Sequence, residues 1–439
     1  MGSESSSIKE LSTQSEWNYP SGWPFNQAES LNKSDGNDTF CNVSGTAAIH
    51  KGRPNRRDYG PLTCSLAKST NYVFGSTGDI DRFYKGELPF EYGRYGSPTV
   101  NYTEDRIAAL EGGDQCLLFS SGMNAITTTI LSLLSAGDHI IVGDDSYRRI
   151  RLFCTKTLAR FGITSSVVPM GDYEALDLAC TPNTKLLVFE VPTNPFLRVL
   201  DISRAAEIAK KHGALLLCDS TLASPCVIQP LKFGADLVIH SATKFLGGHN
   251  DLICGAVIGS HDLIEKIHEE RNTFGGIADP DVAWRLERSL KTLPLRMKQH
   301  NSSALTLAKF LESQSLVERV WYPLLESHPD HTVATKQFQS GGFGGGGVVS
   351  FTLKGNESGA CFFLDQLKIP FLADSLGGTE SLVKHVARMS YYRYSREERL
   401  KVGITDTLIR YSVGLEECSD LIDDLKAAFC RYKNYLNAI

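Results

Sequence analysis

Short apolar runs alternate with helical stretches through the middle of the chain, and this alternation limits the folds that are open to it. Five such runs follow one another between residues 139 and 242: HIIVGDD, ITSSVVP, TKLLVFEVP, ALLLCDS and ADLVIHSA. Stretches with helical spacing, such as RLFCTKTLARFG and SRAAEIAKKHG, separate them. Continuous apolar runs are buried on both faces, so the pattern indicates an α/β fold with a mostly parallel sheet between helices.

The chain of 439 residues is long enough for more than one hydrophobic core, and its composition and hydrophobic pattern divide it into three parts. Residues 1–65 are rich in Ser, Asn, Gly and Pro, and we predict a flexible N-terminal arm there. Residues 66–296 contain the alternating pattern and form the predicted large domain. Residues 297–439 combine helices with strand-like pieces such as GGVVSFTL and LIRYSVGLEE, which predicts a smaller α+β domain.

The composition argues against several classes of partner. Hydrophobic residues make up 42% of the chain and charged residues 22%, which is typical of a soluble globular protein. A net charge of −5 provides no general attraction to nucleic acid or to anionic membranes. No apolar run approaches the roughly 20 residues that a membrane span requires. We therefore expect neither a nucleic acid nor a membrane partner.

The cysteines and the N-terminal residues indicate the cellular compartment of the protein. Eleven cysteines are scattered without a C-x-x-C pair, which favours reduced thiols and does not support a metal site. Residues 1–40 have neither the apolar stretch of a signal peptide nor the Arg-rich, acid-poor composition of a transit peptide. We expect a cytoplasmic protein, with a plastid as the alternative if this N-terminus is not the native one.

One lysine follows an apolar run directly and suggests the chemistry. Lys244 stands in HSATKFLGGHND, just after the last of the five predicted strands. Burying an ammonium group is costly unless its pKa falls, and a lysine of lowered pKa suits Schiff-base formation with an aldehyde cofactor. If that cofactor is pyridoxal phosphate, its ring nitrogen needs a carboxylate. Asp219, at the end of ALLLCDS, is a candidate one strand away.

A phosphate group on such a cofactor would need hydroxyl and backbone N–H donors. Ser241, Thr243 and the turn at Gly122-Met123, which opens a helix, could supply them. Each residue also has an ordinary explanation: a lysine at a strand end is usually on the surface, and an aspartate there is usually a cap. Their coincidence at successive strand ends of one sheet favours the cofactor site.

Several segments together resemble the Cys/Met-metabolism family of pyridoxal-phosphate enzymes. They are SATKFLGGHND, EVPTNP (190–195), EYGRYGSPT (91–99), SSGMNAI (120–126) and DSLGGTES (374–381). The resemblance runs in order from about residue 45 to the C-terminus, and it is most similar to the plant-type cystathionine γ-synthase branch through SYRRIRLF, TNPFLR and KTLPLRM. It implies a fold-type I transferase with a mostly parallel seven-stranded sheet, assembled as a homodimer or homotetramer with shared active sites.

The resemblance also implies roles in binding the cofactor. Lys244 would be the Schiff-base lysine and proton shuttle, Asp219 would pair with the pyridine nitrogen, and Tyr147 would stack on the ring. Asn194 would hydrogen-bond the 3′-oxygen of the ring. The phosphate would be held by Gly122, Met123, Ser241 and Thr243, joined by Tyr92 and Arg94 from a neighbouring subunit.

A second set of residues would bind the amino-acid substrate. Arg410, in LIRYSVGLE, would grip the α-carboxylate in the bidentate way that a guanidinium favours. Asn194 and Ser375 would lie near the same group. Arg151 would lie near the distal end of the substrate, and Asp374 would occupy a position that varies between branches of the family and helps set substrate choice.

Some positions depart from the usual family pattern. Ser97 stands where the family usually has Asn, Val191 where it usually has Ser, and Leu222 where a bulky side chain is common. These changes leave the cofactor residues intact. They could alter the substrate pocket, where one polar contact can change discrimination by orders of magnitude.

The pair Arg148-Arg149 after the stacking tyrosine separates the branches. Methionine γ-lyases usually carry a cysteine nearby and cystathionine lyases a Gly-Gly, whereas two arginines resemble the plant synthases. We expect γ-replacement on an activated homoserine ester, most simply with cysteine to give cystathionine. The alternatives are a relative with another nucleophile, a methionine or cystathionine γ-lyase, or a catalytically silent regulatory subunit that binds pyridoxal phosphate.

Overall fold

The computed structural model describes residues 43–52, 62–338 and 344–438. The described residues fall into two compact units, one of residues 69–96 and the other of residues 43–52, 62–68, 97–338 and 344–438. The described part of the first unit contains a short helix and an antiparallel bridge between Asn71 and Tyr92. The proposed arm at 1–65 lies mostly outside the described residues, and the predicted boundaries at 65 and 296 stay predictions.

The helices are numbered in chain order. They are α1 (Gly45–His50), α2 (Thr77–Tyr84), α3 (Pro98–Glu111), α4 (Gly122–Leu133), α5 (Arg148–Leu152), α6 (Tyr173–Ala179), α7 (Ile202–Lys211), α8 (His261–Phe274), α9 (Pro280–Leu290), α10 (Leu293–Glu312), α11 (His331–Phe338), α12 (Glu357–Gln366), α13 (Val386–Met389), α14 (Arg396–Lys401) and α15 (Cys418–Ala438). Helix α5 continues through a π-helical turn (Phe153–Thr157) and a 3₁₀ turn (Leu158–Phe161), and a second 3₁₀ turn spans Pro230–Phe233.

The strands form two sheets. The first contains β1 (Gln115–Phe119), β2 (His139–Gly143), β3 (Thr164–Val168), β4 (Thr184–Glu190), β5 (Leu215–Asp219), β6 (Leu237–Ser241) and β7 (Gly255–Gly259). The second contains β8 (Val317–Trp321), β9 (Val348–Leu353), β10 (Phe371–Leu372), β11 (Leu382–His385) and β12 (Leu408–Ser412).

The seven-stranded sheet has the order β1-β7-β6-β5-β4-β2-β3. Strands β2 to β6 pair in parallel, and β7 runs antiparallel to both of its neighbours. Its central residues are buried on both faces, because apolar clusters that include Leu187 and Val188 cover opposite sides. The prediction of a mostly parallel α/β sheet between helices is confirmed.

The five-stranded sheet has the order β10-β11-β12-β9-β8 and is antiparallel except for the pair β10–β11. Side chains of α10, α12 and α15 build its core together with β9 and β12, with Phe351, Phe363 and Tyr432 fully buried. This is the α+β region that the C-terminal pattern predicts.

The parallel register brings the chemistry together. Glu190 at the end of β4 pairs with Asp219 at the end of β5, and Asp219 pairs with Ile239 of β6. Ser241, the last residue of β6, therefore lies at the same edge of the sheet. The turn after β6 then carries Lys244, whose N–H donates to the Ser241 carbonyl oxygen at 3.0 Å.

Two glycines let helix α4 approach this edge. A Cβ atom on Gly122, the first residue of α4, would lie 2.8 Å from Ser241 Cβ. A Cβ atom on Gly255 of β7 would lie 2.2 Å from the Ser121 carbonyl oxygen. The N-terminus of α4 can lie against β6 and β7 only because neither position carries a side chain. Among the described residues, no helix is long and apolar enough to cross a bilayer.

We expect Gly255→Ala to lower the free energy of unfolding by about 1–3 kcal/mol or more, because the added methyl group meets rigid backbone. The matched control is Gly45→Ala, since an added Cβ there meets no atom within 4 Å. Chemical unfolding followed by circular dichroism measures both variants. Equal stabilities for the two variants would contradict the close approach of α4.

Candidate active site

A cavity of about 490 Å³ lies between the carboxyl edge of the seven-stranded sheet and strands β11 and β12 of the second sheet. Most of the predicted site residues line it. They are Gly122, Met123, Tyr147, Asn194, Asp219, Ser241, Thr243, Lys244, Asp374, Ser375 and Arg410. Residues that are more than 280 positions apart in the chain thus meet in one place.

Lys244 is partly buried at the wall of this cavity. Its Nζ donates a hydrogen bond to Ser375 Oγ at 2.9 Å. Burial and the nearby Arg410 guanidinium lower the pKa of Lys244 below its ordinary value, while Asp374 acts in the opposite direction. The amine therefore loses its proton more readily than a surface lysine does, as the chemistry of a nucleophilic or basic amine requires.

Asp219 is buried at the end of β5, with 8% of its surface exposed. Its Oδ1 atom accepts hydrogen bonds from the backbone N–H and the hydroxyl group of Thr221, at 3.0 and 2.5 Å. Among the described residues, no donor reaches the other oxygen, Oδ2. Burial raises the pKa of Asp219, and the Thr221 hydrogen bonds oppose that shift. A cationic ring nitrogen at Oδ2 would hold this carboxylate in its charged form.

Glu190 is the strand-end neighbour of Asp219 and lines the same cavity. Its Oε2 atom accepts a hydrogen bond from the backbone N–H of Tyr147 at 2.7 Å. Burial, and next the charges of Asp219 and Asp145, raise the pKa of Glu190 well above its ordinary value. Glu190 and Asp219 therefore place two buried carboxyl groups at this edge of the sheet, and each disfavours the negative charge of the other.

The start of helix α4 offers donors for an anion. Ser121 caps the helix by accepting from the N–H of Asn124 at 3.1 Å, and the first N–H groups of a helix have no partner within it. Ser241 lies directly against Gly122. These groups fit a phosphate. The Thr243 hydroxyl donates to the Cys254 carbonyl oxygen at 3.2 Å and accepts from its N–H, so it also anchors the turn.

Arg410 reaches the cavity from β12 and is 4% exposed. Its Nη1 atom donates to Asn194 Oδ1 at 3.2 Å, and Nη2 donates to the Ser375 carbonyl oxygen at 2.5 Å. The buried Nε atom has no partner among the described residues. A fixed guanidinium with a free donor is well suited to a substrate carboxylate.

Tyr147 and Arg148 form another wall. Tyr147 directly precedes α5, its side chain lines the cavity, and burial raises the pKa of its hydroxyl group. The Arg148 side chain also lines the cavity, with its guanidinium 5.8 Å from the centre of the Tyr394 ring. Arg151 is not among the lining residues, and its guanidinium donates to the Asp144 carbonyl oxygen. Its predicted contact with substrate stays a prediction.

Tyr92 and Arg94 lie in the separate unit of residues 69–96. The Arg94 guanidinium lies 5.4 Å from the centre of the Tyr92 ring and 4.9 Å from that of Tyr95. Their predicted contribution to the phosphate site of a neighbouring subunit stays a prediction.

Sequence reasoning missed Glu190 and Lys384 as cavity residues. Glu190 ends the apolar run TKLLVFE, so the strand-end argument that selected Asp219 also applies to it. Lys384 directly follows the apolar pair Leu382-Val383, and a lysine after an apolar run is the feature that drew attention to Lys244. Both signals were present in the sequence.

Comparison with known proteins identifies the family. The model of the Cys/Met metabolism PLP-dependent enzymes matches residues 45–430. The chain belongs to this family. Its members bind pyridoxal 5′-phosphate (PLP), so the protein is a PLP-dependent enzyme, and the predicted family, fold and cofactor are confirmed.

Relatives within the family have different activities. The chain is 43% identical over 394 residues to cystathionine γ-synthase 1, chloroplastic, of Nicotiana tabacum, covering 89% of this chain and 72% of that protein. It is 41% identical to an O-succinylhomoserine sulfhydrylase of Pseudomonas aeruginosa, over 88% of this chain and 94% of the relative. A solved cystathionine γ-lyase of Lactobacillus plantarum, complexed with L-serine, matches with a TM-score of 0.82 and 38% identity, over 89% of this chain and 99% of that one.

We expect borohydride reduction of the purified protein to attach PLP covalently to the peptide that contains Lys244. The two lysines of the cavity, Lys244 and Lys384, make this site assignment informative. Lys244→Ala should remove the yellow absorbance of the bound cofactor, whereas Lys211→Ala, at an exposed ion pair with Asp177, should retain it. Peptide mass mapping checks the position, and a label on Lys384 would contradict the assignment.

Proposed function

We propose that this PLP enzyme replaces the γ-substituent of an activated homoserine ester, most simply with the thiol of cysteine to give cystathionine. The observation that carries replacement is Arg148, a basic residue that lines the cavity next to Tyr147. An incoming amino acid brings its own carboxylate, and a cationic wall attracts it. The similarity to the tobacco cystathionine γ-synthase supports the same reaction.

The substrate would be held through its α-carboxylate. Arg410 would receive this group, since its guanidinium is fixed by Asn194 and by the Ser375 carbonyl oxygen. Fixing the carboxylate sets the direction in which the α-carbon faces the amine of Lys244. Positioning of this kind supplies much of the rate enhancement in reactions between bound groups.

When bound, PLP supplies an electron sink that stabilises negative charge developing at the α-carbon of the substrate. Asp219 would hold the pyridine nitrogen protonated, and Tyr147 would stack on the ring. Lys244 would accept the α-proton and deliver it to the cofactor carbon C4′, and it would then accept a β-proton of the substrate and deliver it to the γ-leaving group. Its lowered pKa brings the amine nearer to neutral pH, where it can both take and give a proton.

The remaining cofactor contacts follow from the helix start. Gly122, Met123 and Ser241 would hold the phosphate, with Thr243 at the same turn. Tyr92 and Arg94 would join them from a neighbouring subunit, so we propose a homodimer or homotetramer. The ten cysteines among the described residues are free thiols, which suits a reducing compartment such as the cytosol.

A γ-lyase activity is the second candidate, because the solved relative is a cystathionine γ-lyase. Elimination shares the steps up to loss of the γ-group and differs in whether a nucleophile then occupies the cavity. A silent regulatory subunit is less well supported, since Lys244, Tyr147 and Arg410 line one cavity together.

Product analysis tests the proposal directly. Purified enzyme is incubated with phospho-, succinyl- or acetylhomoserine, with and without cysteine, and the products are identified by mass spectrometry. We expect cystathionine as the main product with cysteine and slower release of ammonia and a 2-oxo acid without it. Lys244→Ala is the inactive control. A 2-oxo acid as the main product in the presence of cysteine would favour the lyase, and no turnover of any ester would overturn the proposed function.

A further inference from the structure

A second buried lysine lines the cavity and has no part in the mechanism above. Lys384 lies in the middle of β11 and is 4% exposed. It stands directly opposite Arg410 in the antiparallel pair β11–β12. Side chains at such paired positions point to the same face of the sheet, so both cations face the cavity.

One carboxylate is shared between these two cations. Asp374 Oδ1 lies 2.5 Å from Lys384 Nζ and 3.7 Å from Arg410 Nη2. The two nitrogens are therefore at most about 6 Å apart, and the three groups together carry one net positive charge when all are ionised. Lys244, which borders the same space, adds to the positive potential.

The arrangement differs from an ordinary structural ion pair. Most ion pairs lie at the surface with both partners partly exposed, but here 67% of the Asp374 side chain is exposed while only 5% of the Lys384 side chain is. Asp374 also precedes Ser375, whose φ of 137° is unusual for a residue with a side chain. The cation thus belongs to a strand of the sheet, while its counter-ion lies outside the strands and is largely exposed.

The Lys384 side chain also faces the cavity that a substrate would occupy. Holding a lysine at a buried position is costly, and an apolar residue would pack in β11 without that cost. A ligand with a second negative charge would offset this desolvation cost, because the cations Lys384 and Arg410 would then each pair with an anionic group of the ligand. A homoserine ester has its α-carboxylate at one end, which would bind Arg410. Its γ-substituent lies at the other end.

We propose that Lys384 is a specificity-determining residue that binds an anionic group at the γ-end of the substrate while Arg410 binds the α-carboxylate. This inference rests on the proposed function in taking a γ-substituted amino acid as the occupant. The shared chemistry is a distal anion, either a carboxylate or a phosphate. Asp374 occupies the two cations in the free enzyme and yields to the anion when substrate binds.

Binding of unreactive amino acids tests this without requiring turnover. The holoenzyme is titrated with L-2-aminoadipate and L-2-amino-4-phosphonobutyrate, which carry a distal carboxylate and a distal phosphonate, and with L-norleucine, which is neutral. Dissociation constants follow from calorimetry or from the absorbance of bound PLP. Because none of the three has a leaving group, the result is independent of whether the enzyme replaces or eliminates.

We expect Lys384→Met to reduce the preference for the anionic ligands over norleucine by about tenfold or more, as expected for loss of a charged hydrogen bond. Because the comparison uses the ratio of two dissociation constants, a change in the site that weakens all three ligands equally leaves it unaltered. Lys211→Met, which removes an exposed lysine from its pair with Asp177, should leave the ratio unchanged. A larger loss for the phosphonate than for the carboxylate would assign the site to phosphate esters, and the reverse to acyl esters.

The unmodified enzyme provides a second measurement that does not depend on the variant folding. Burial and Arg410 lower the pKa of Lys384 to about 8, with Asp374 opposing and Lys244 adding to the shift. Lys384 is charged below that pH and neutral above it, so the preference for aminoadipate over norleucine should fall between pH 7 and about 9. An unchanged preference across this range, or an unchanged ratio in Lys384→Met, would overturn the proposal.

Discussion

The parallel register of β4, β5 and β6 is the constraint on which the site depends. It brings the ends of three strands to one edge, so Glu190, Asp219 and Ser241 become neighbours although they are distant in the chain. Lys244 follows within one turn. Moving any one of these strands by a residue would turn its terminal side chain to the other face of the sheet. The glycines at 122 and 255 then allow α4 to meet this edge closely enough to share a ligand with it.

The wall of the cavity formed by β11 and β12 contains two cations and one carboxylate. The buried cations Arg410 and Lys384 come from adjacent strands of the second sheet and share the carboxylate of Asp374. On the opposite side, the carboxyl groups of Glu190 and Asp219 lie at neighbouring strand ends. The cavity is therefore acidic where a pyridine nitrogen is expected and basic where a carboxylate is expected. This polarity would orient the proposed PLP and amino-acid substrate between the two sheets.

Some elements of the fold and the site leave a local pattern in the sequence, and others do not. The apolar runs ending at Glu190, Asp219 and Ser241 marked the buried strands, because a strand covered on both faces needs a continuous apolar stretch. Lys244 and Asp219 could be inferred from strand ends, since the local pattern locates those ends. The roles of Arg410 and Asn194 came from the family resemblance. No local pattern reports that β11 pairs with β12, so the link between Lys384 and Arg410 required the three-dimensional structure.

The central claim is that Lys244 and Asp219 act on the same cofactor within one cavity. A crystal structure of the protein with PLP tests it most directly. The account predicts continuous electron density from Lys244 Nζ to the cofactor, with the ring nitrogen within hydrogen-bonding distance of Asp219 Oδ2. Density joining the cofactor to another side chain, or a ring nitrogen directed away from Asp219, would contradict it.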